Sequence, residues 1–369
     1  MYEKVNNNGN TSSRICNVFV DTQPGKGKKT GIGVYSYELF NSLKKFSDKK
    51  KFAINEFSSK IFSGDLSTPK RFIYDQLERP VILSNKKVDI VHITGFSSPL
   101  FYPKKKIILT VHDIIPLIYP IEYRTPISKF YWKHFLYSSI KHSSMLIANS
   151  EWTRNDVVKY LKINPEKIRV VYLGVDTLDV SESDSKDVFK KFNIPEKYII
   201  YIGSLEKRKN IDILAKAASK LKIPLVVIGK TLPGYKKIED KYTIYCDYVT
   251  DIEKNALTSK AFCLVMPSFY EGFSFPIVEG QRHFVPVIAS DASCHREIGG
   301  SDECCIYFNP NSLDELYESI KSLLDNEIKR QNLIKNGHIN SLRFTWDNTA
   351  KRTIEVYEEV YNNIKIYGR

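Results

Sequence analysis

Glu271 and Glu279 are separated by seven residues in the stretch MPSFYEGFSFPIVEGQRHFVP, Met266 to Pro286. An ionised carboxylate only accepts hydrogen bonds, so both side chains suit hydroxyl groups rather than an anion. Between them Pro276 predicts the start of a helix, because proline fits a first helical turn and no later one. The backbone amides of Gly272, Phe273, Ser274 and Phe275 lie at or before that start. Together with the helix dipole they make an anion site. Hydroxyls on both sides of an anion describe a sugar nucleotide. The stretch alone leaves a second reading of equal standing, in which Glu279 complements the dipole and Glu271 is a solvated loop charge.

Cations that would meet such an anion come from another loop. The run YIIYIG (Tyr198–Gly203) predicts a strand, and SLEKRKN follows it with Glu206, Lys207, Arg208 and Lys209. At the carboxyl edge of a parallel sheet these suit a pyrophosphate, which arginine can grip in a bidentate way. His112-Asp113 ends another predicted strand, IILTV, where ligands bind in open α/β sheets. A histidine satisfied structurally at that strand end competes with a chemical role. An early loop, DTQPGKGKKTGIG, carries Gly25, Gly27, Gly31 and Gly33. It is not a dinucleotide fingerprint. Gly31 and Gly33 let backbone approach a ligand closely, or they form a plain turn, which these two residues alone favour.

The elements that must position these groups alternate. Strands are expected at 15–20, 52–57, 89–93, 107–111, 145–148, 168–172, 198–203, 225–229, 262–266 and 285–289, with a last one at CIYFNP. Helices fall between them, one with Tyr35, Leu39, Leu43 and Phe46 on one face. Ser150 predicts a helix cap, and Thr250 with Glu253 and Ser312 with Glu315 predict capping boxes. The segment TLDVSESDSKD reads as an inter-domain linker, after which strand, loop and helix restart. This pattern predicts two parallel-sheet α/β domains, the number that 369 residues also suggest.

Composition bounds the rest. No apolar run approaches the roughly 20 residues of a membrane span. The polar start, residues 1–13, reads as a disordered lead without the apolar core of a signal peptide. Six scattered cysteines form no C-x-x-C pair, which fits a reducing cytoplasm and no zinc site. Residues 1–180 hold 28 Lys and Arg against 16 Asp and Glu, whereas the remainder holds 27 against 26. The basic half suits an anionic lipid surface, an acidic glycan or nucleic acid; simple solubilisation explains it as well. Lys44, Lys45, Lys49–Lys51 and the aromatic-basic helix expected at 126–143 are the candidate membrane contacts. No nucleic-acid motif accompanies the charge.

Seven segments, in order along nearly the whole chain, resemble glycosyltransferase family 4, the retaining enzymes of the GT-B fold. They are TGIGVYSYEL, TVHDIIPL, ANSEWTRNDV, VVYLGVD, YIGSLEKRKN, EGFSFPIVE and VPVIASDASCHREIGG. Their flavour is similar to mannosyl- and rhamnosyltransferases that build surface polysaccharides and lipid-linked glycans. The resemblance implies two Rossmann-like domains facing a cleft, 14–178 on the acceptor side and 179–349 on the donor side, with a C-terminal helix, 350–369, crossing back to the first. It implies that Glu279 holds the donor ribose, Glu271 the transferred sugar, and Arg208 and Lys209 the diphosphate. His112 would contact the donor sugar and Tyr248 and Val249 the base. Gly31, Gly33, Gly203 and the backbone of Gly272–Phe275 would line the donor site. No metal or cofactor is implied beyond the nucleotide-sugar substrate, GDP-mannose favoured. The acceptor would be a glycan or a lipid-linked acceptor, and the protein would be cytoplasmic, free or peripheral on the cytoplasmic membrane face. Ser274 and Phe275 depart from the glycine and leucine usual at these positions, and Phe284 and Arg296 depart from a small residue and a proline. A homologue that binds nucleotide sugars without transfer is the alternative, and a nucleic-acid-binding protein a more distant one.

Overall fold

Short apolar runs flanked by loops become twelve parallel strands in two sheets of six, seen in a computed structural model. It describes residues 14–367 apart from 28–30, 50, 65, 85, 96, 100–101, 104–105, 119–129 and 131. The expected disordered lead therefore lies outside the described residues. The first sheet holds β1 (Cys16–Asp21), β2 (Phe52–Phe57), β3 (Ile90–Ile93), β4 (Ile107–Val111), β5 (Met145–Ala148) and β6 (Ile168–Val170), in spatial order β2-β1-β3-β4-β5-β6. The second holds β7 (Ile199–Ile202), β8 (Leu225–Ile228), β9 (Thr243–Asp247), β10 (Cys263–Met266), β11 (Val287–Ser290) and β12 (Ile306–Phe308), in order β12-β11-β10-β7-β8-β9. Central strands such as β4, β7 and β10 are buried at every residue, as helices covering both faces of a parallel sheet require. The order places β10 directly beside β7, with Cys263 opposite Ile199. Two loops far apart in sequence, one after each strand, therefore emerge side by side.

The acidic segment expected as a linker is largely a helix, Glu182–Phe192, whose N-terminus Ser181 caps by accepting from the Asp184 amide. Serines and acids that look like linker composition are also what a helix start selects. Three further elements escape periodicity: β9, the helix Glu327–Ser341, and a continuous helical run from Thr68 to Ser84. The last contains Pro80, which normally ends a helix. Here a π-turn over Tyr74–Glu78, closed by the Arg79 amide on the Tyr74 carbonyl, precedes the proline and lets the run continue. Of the two expected capping boxes, Thr250–Glu253 is reciprocal. Ser312 accepts from the Glu315 amide, but Glu315 turns back to the Asn309 amide at 2.7 Å instead.

The final helix, Trp346–Tyr367, packs on the first domain. A buried chain of hydrogen bonds holds it there: Tyr357 to His92 Nδ1 at 2.7 Å, His92 Nε2 to Thr110 at 2.8 Å, and Thr110 to Tyr35 at 2.8 Å. Burial pushes the His92 pKa down to about 3, so the imidazole stays neutral and can serve both partners. The helix also takes up part of the lysine cluster, through Lys45 to Asp347 at 3.5 Å and Lys51 to Glu358 at 2.5 Å. That patch is less available to a membrane than sequence alone suggests, and Lys50 and Lys129 lie outside the described residues. The chain thus crosses twice between the domains. The crossings run side by side, with the Val175 amide on the Phe344 carbonyl at 3.1 Å. A β-carbon on Gly174 would stand 2.3 Å from the Trp346 nitrogen, so only glycine lets them meet.

One buried ionic knot ties the Thr68–Ser84 run to the first sheet. Arg79 Nη2 lies 2.7 Å from both Asp21, at the end of β1, and Asp75. Its Nη1 donates to the Ser97 carbonyl at 2.6 Å. Removing the cation strands two buried carboxylates. Arg79→Met should lower unfolding free energy by about 3–5 kcal/mol. Urea denaturation would measure it, and a loss below about 1 kcal/mol would show that the knot is not needed to hold the helix.

Candidate active site

The loops after β7 and β10 bring the paired charges together. Lys209 Nζ donates to Glu271 Oε1, and Arg208 Nη1 lies 3.4 Å from Glu271 Oε2. Burial alone would raise the Glu271 pKa; Lys209 and Arg208 override it and hold the carboxyl down at about 2. The same Nη1 also donates to the Tyr270 carbonyl, and Nη2 donates to Glu206 at 2.6 Å. The second reading, in which Glu271 is a solvated loop charge, is therefore wrong, since the residue is only 8% exposed.

Glu279 sits on the helix Phe275–Arg282, which has Pro276 in its first turn as the sequence predicts. Its Oε1 accepts from Lys254 Nζ at 2.6 Å. Lys254 belongs to the helix Asp251–Ser259, and Tyr248 and Val249 stand just before that helix. Lys254 thus joins the helix that follows the expected base contacts to the helix that bears the expected ribose contact. Tyr248 is 67% exposed, whereas Val249 is buried and presents little beyond backbone.

Two serines shape the same loop: Ser274, which the sequence marks, and Ser293, which it does not. Ser293 Oγ accepts the Glu271 amide at 2.8 Å and donates to the Glu271 carbonyl. Ser274 takes a left-handed conformation, φ 71°, where a side chain other than glycine's is strained, and its buried hydroxyl has no hydrogen-bond partner among the described residues. Nothing local signals Ser293, which is 22 residues from its partner. The Phe273 ring turns away from the cleft onto Phe344 at a centroid distance of 5.5 Å, leaving only backbone for a ligand.

The first domain meets this loop with the ends of β4 and β5. His112 Nε2 donates to the Thr94 carbonyl at 2.9 Å, and its ring meets Tyr35 edge-on at 4.9 Å. Burial lowers its pKa to about 4, so it is neutral at pH 7 and a poor electrostatic stabiliser. Its carbonyl lies where a β-carbon on Gly272 would be, 1.9 Å away, which makes glycine obligatory there. Gly31 faces Phe275 across the cleft, its β-carbon position 3.4 Å from the ring. Gly33 is crowded by the Pro24 carbonyl of its own loop at 2.8 Å, and Gly203 by the Tyr201 hydroxyl at 2.7 Å. Those two glycines answer to packing within their own domains.

Two six-stranded parallel sheets that meet at their carboxyl ends have the arrangement of GT-B glycosyltransferases. The comparisons name the family. A model described as "Glycosyl transferases group 1" matches residues 184–339, and one described as "Glycosyltransferase Family 4" matches 50–178. The chain belongs to the group 1 glycosyltransferases of family 4. It is 25% identical to O-antigen chain mannosyltransferase B of Escherichia coli over 91% of this chain and 98% of that protein. It is 24% identical to the serotype-specific mannosyltransferase WbdA of the same organism over 80% of this chain, which is 40% of that longer protein. Sucrose-phosphate synthase from Thermosynechococcus elongatus shares the fold, with a TM-score of 0.73 at 15% identity over 94% of this chain and 100% of that one. So does WaaG, a glycosyltransferase involved in lipopolysaccharide biosynthesis, with 0.69 at 13% over 92% and 99%.

The two carboxylates should respond differently to neutralisation. A ribose contact is equal in ground and transition states, so Glu279→Gln should raise the donor KM more than it lowers kcat. By the resemblance Glu271 would face a sugar ring that gains positive charge as its bond stretches. Glu271→Gln should lower kcat by about 2–4 kcal/mol of barrier. Donor-saturation kinetics and melting curves on the two variants separate these roles. Identical kinetic profiles with matching drops in melting temperature would return both residues to a structural part.

Proposed function

We propose that the chain is a retaining transferase that moves mannose from GDP-mannose to a glycan or lipid-linked acceptor. The observation that carries this reading is the convergence of Arg208, Lys209 and Glu271 beside the N-terminus of the helix bearing Glu279. The names of the relatives, O-antigen mannosyltransferases among them, support mannose. The donor diphosphate lies against the helix N-terminus, where Arg208 and Lys209 balance its charge. Glu279 accepts from the ribose hydroxyls while Lys254 balances its charge, and Glu271 accepts from the mannose hydroxyls. Tyr248 and Val249 border the base. His112, kept neutral, forms part of the wall beside the reacting carbon. The bond from the anomeric carbon to the diphosphate breaks, the bond to the acceptor oxygen forms, and the acceptor's proton leaves with the nucleoside diphosphate. The cations serve this departure without a metal ion in the reading proposed here.

Thermal shift with GDP-mannose, UDP-glucose and dTDP-rhamnose tests the donor, because a ligand that binds only the folded state raises apparent stability. GDP-mannose should give the largest rise, with transfer to a mannose-terminated acceptor. Arg208→Ala should cut turnover about a hundredfold or more, the scale of one lost transition-state contact. Turnover within a few-fold of the unaltered protein would remove Arg208 from the leaving-group role.

An anionic membrane surface, where lipid-linked acceptors reside, is a further part of this reading. No described helix is long and apolar enough to cross a membrane. On the Thr68–Ser84 run, however, Ile73, Leu77 and Val81 are 39%, 60% and 61% exposed at four-residue spacing. Lys70, Lys86 and Lys87 flank them on the basic domain. Apolar insertion beside lysines worth about 1 kcal/mol each at an anionic surface supports reversible attachment. Vesicles containing phosphatidylglycerol should sediment the protein at low salt, and Leu77→Asp with Val81→Asp should leave it in the supernatant. Equal recovery with neutral and anionic vesicles would refute the attachment.

A further inference from the structure

The glutamate loop of the second domain is seated on one helix of the first. That helix, Glu151–Leu161, begins beside the end of β5, with Ser150 as its cap. The Ser150 hydroxyl accepts the Thr153 amide at 3.0 Å, and its proton goes across the cleft to the Gly272 carbonyl at 2.6 Å. Thr153 Oγ1 reaches the same carbonyl at 3.4 Å. One turn further on, Asp156 accepts a hydrogen bond from the Tyr270 hydroxyl. Positions 150, 153 and 156 repeat every three residues, which puts them on one helical face. The same helix start fixes the opposite wall, because Asn149 Nδ2 donates to the His112 carbonyl at 2.9 Å.

These contacts bracket Glu271. Tyr270 precedes it, with its hydroxyl on Asp156 of the first domain and its carbonyl on Arg208 of the second. Gly272 follows it, with its carbonyl on Ser150. Ser150, Thr153, Asp156 and Tyr270 are all less than 9% exposed, so their polar atoms must find hydrogen bonds within the protein. A second carboxylate from across the cleft completes the seat. Glu297 accepts the Glu151 and Trp152 amides at 2.6 and 3.0 Å. The contacts of Ser150, Asp156 and Glu297 each need both domains.

We propose that Asp156 is a positioning residue for the transfer reaction, acting through Tyr270 to place Glu271 and Arg208 against the His112 strand end when the domains close. Closure and assembly of the reacting site are then one event. The second domain's charges hold a nucleoside diphosphate by themselves, whereas sugar transfer needs the seat. The proposal rests on the transferase reading, and its test separates the two.

The full chain and the variants Asp156→Ala, Asp156→Asn and Tyr270→Phe are compared for kcat, donor KM, GDP affinity by calorimetry and melting temperature. Asp156→Ala and Tyr270→Phe should each lower kcat about tenfold to a hundredfold, as a slightly misplaced catalytic group does. GDP affinity should stay within threefold. Asparagine keeps an oxygen that accepts from the Tyr270 hydroxyl and should restore most of the rate. The variant carrying both Asp156→Ala and Tyr270→Phe should be no slower than either alone, since both remove one contact. A lower melting temperature with kcat unchanged would overturn the proposal and leave Asp156 a structural residue. If the unaltered protein transfers no sugar, the transferase reading fails. Hydrogen exchange over residues 269–275 then reads the seat directly, with faster exchange in Asp156→Ala expected and unchanged exchange overturning it.

Discussion

A carboxylate removed from water needs positive charge beside it, or it takes up a proton instead. Glu271 meets that requirement with Lys209 and Arg208, and much of the cleft follows from it. The two cations arise after β7 and the carboxylate after β10, so the strands must be neighbours with their carboxyl ends level. The pairing of Cys263 with Ile199 supplies that alignment. Arg208 needs more acceptors than one carboxylate offers, and Glu206 and the Tyr270 carbonyl provide them. This arrangement orders the groups proposed to meet a diphosphate and a sugar, which limits the reorganisation left for the binding step.

Much of the site was legible because it is local. Glu271, Pro276 and Glu279 fall within nine residues of one strand–loop–helix unit, and Arg208 and Lys209 within another. Loop residues at the carboxyl edge of a parallel sheet point into the same space whatever the tertiary details. What sequence could not show are the partners that fix those groups: Ser293 on the Glu271 amide, Lys254 on Glu279, Asp156 on Tyr270. Each pairing joins residues more than 20 positions apart and carries no periodic mark. His112 was found by its place at a strand end, yet its ring proved committed to Thr94 and Tyr35. The competing structural reading therefore describes much of what that side chain does.

The misread elements have physical causes of their own. The Thr68–Ser84 helix was hidden by Pro80, a residue that breaks an ordinary helix but follows a π-turn here. The segment around Ser181 looked like a linker because caps and linkers draw on the same polar residues. β9 is an edge strand with little full burial, TIYCD, and gives no continuous apolar run. In each case a local rule was sound and a neighbouring contact decided otherwise.

The second crossing of the chain has a consequence for the order in which the protein is made. The first domain's sheet ends at Val170, but the helix that covers its buried His92 and Thr110 is the last element, Trp346–Tyr367. A ribosome moving from the N-terminus therefore releases the first sheet about 175 residues before the helix that closes it, a delay of roughly 10–35 seconds at ordinary elongation rates. During that interval the face awaiting Tyr357 is open, and the second domain, contiguous from strand to strand, can finish first. The nascent chain would gain its second half before it completes its first.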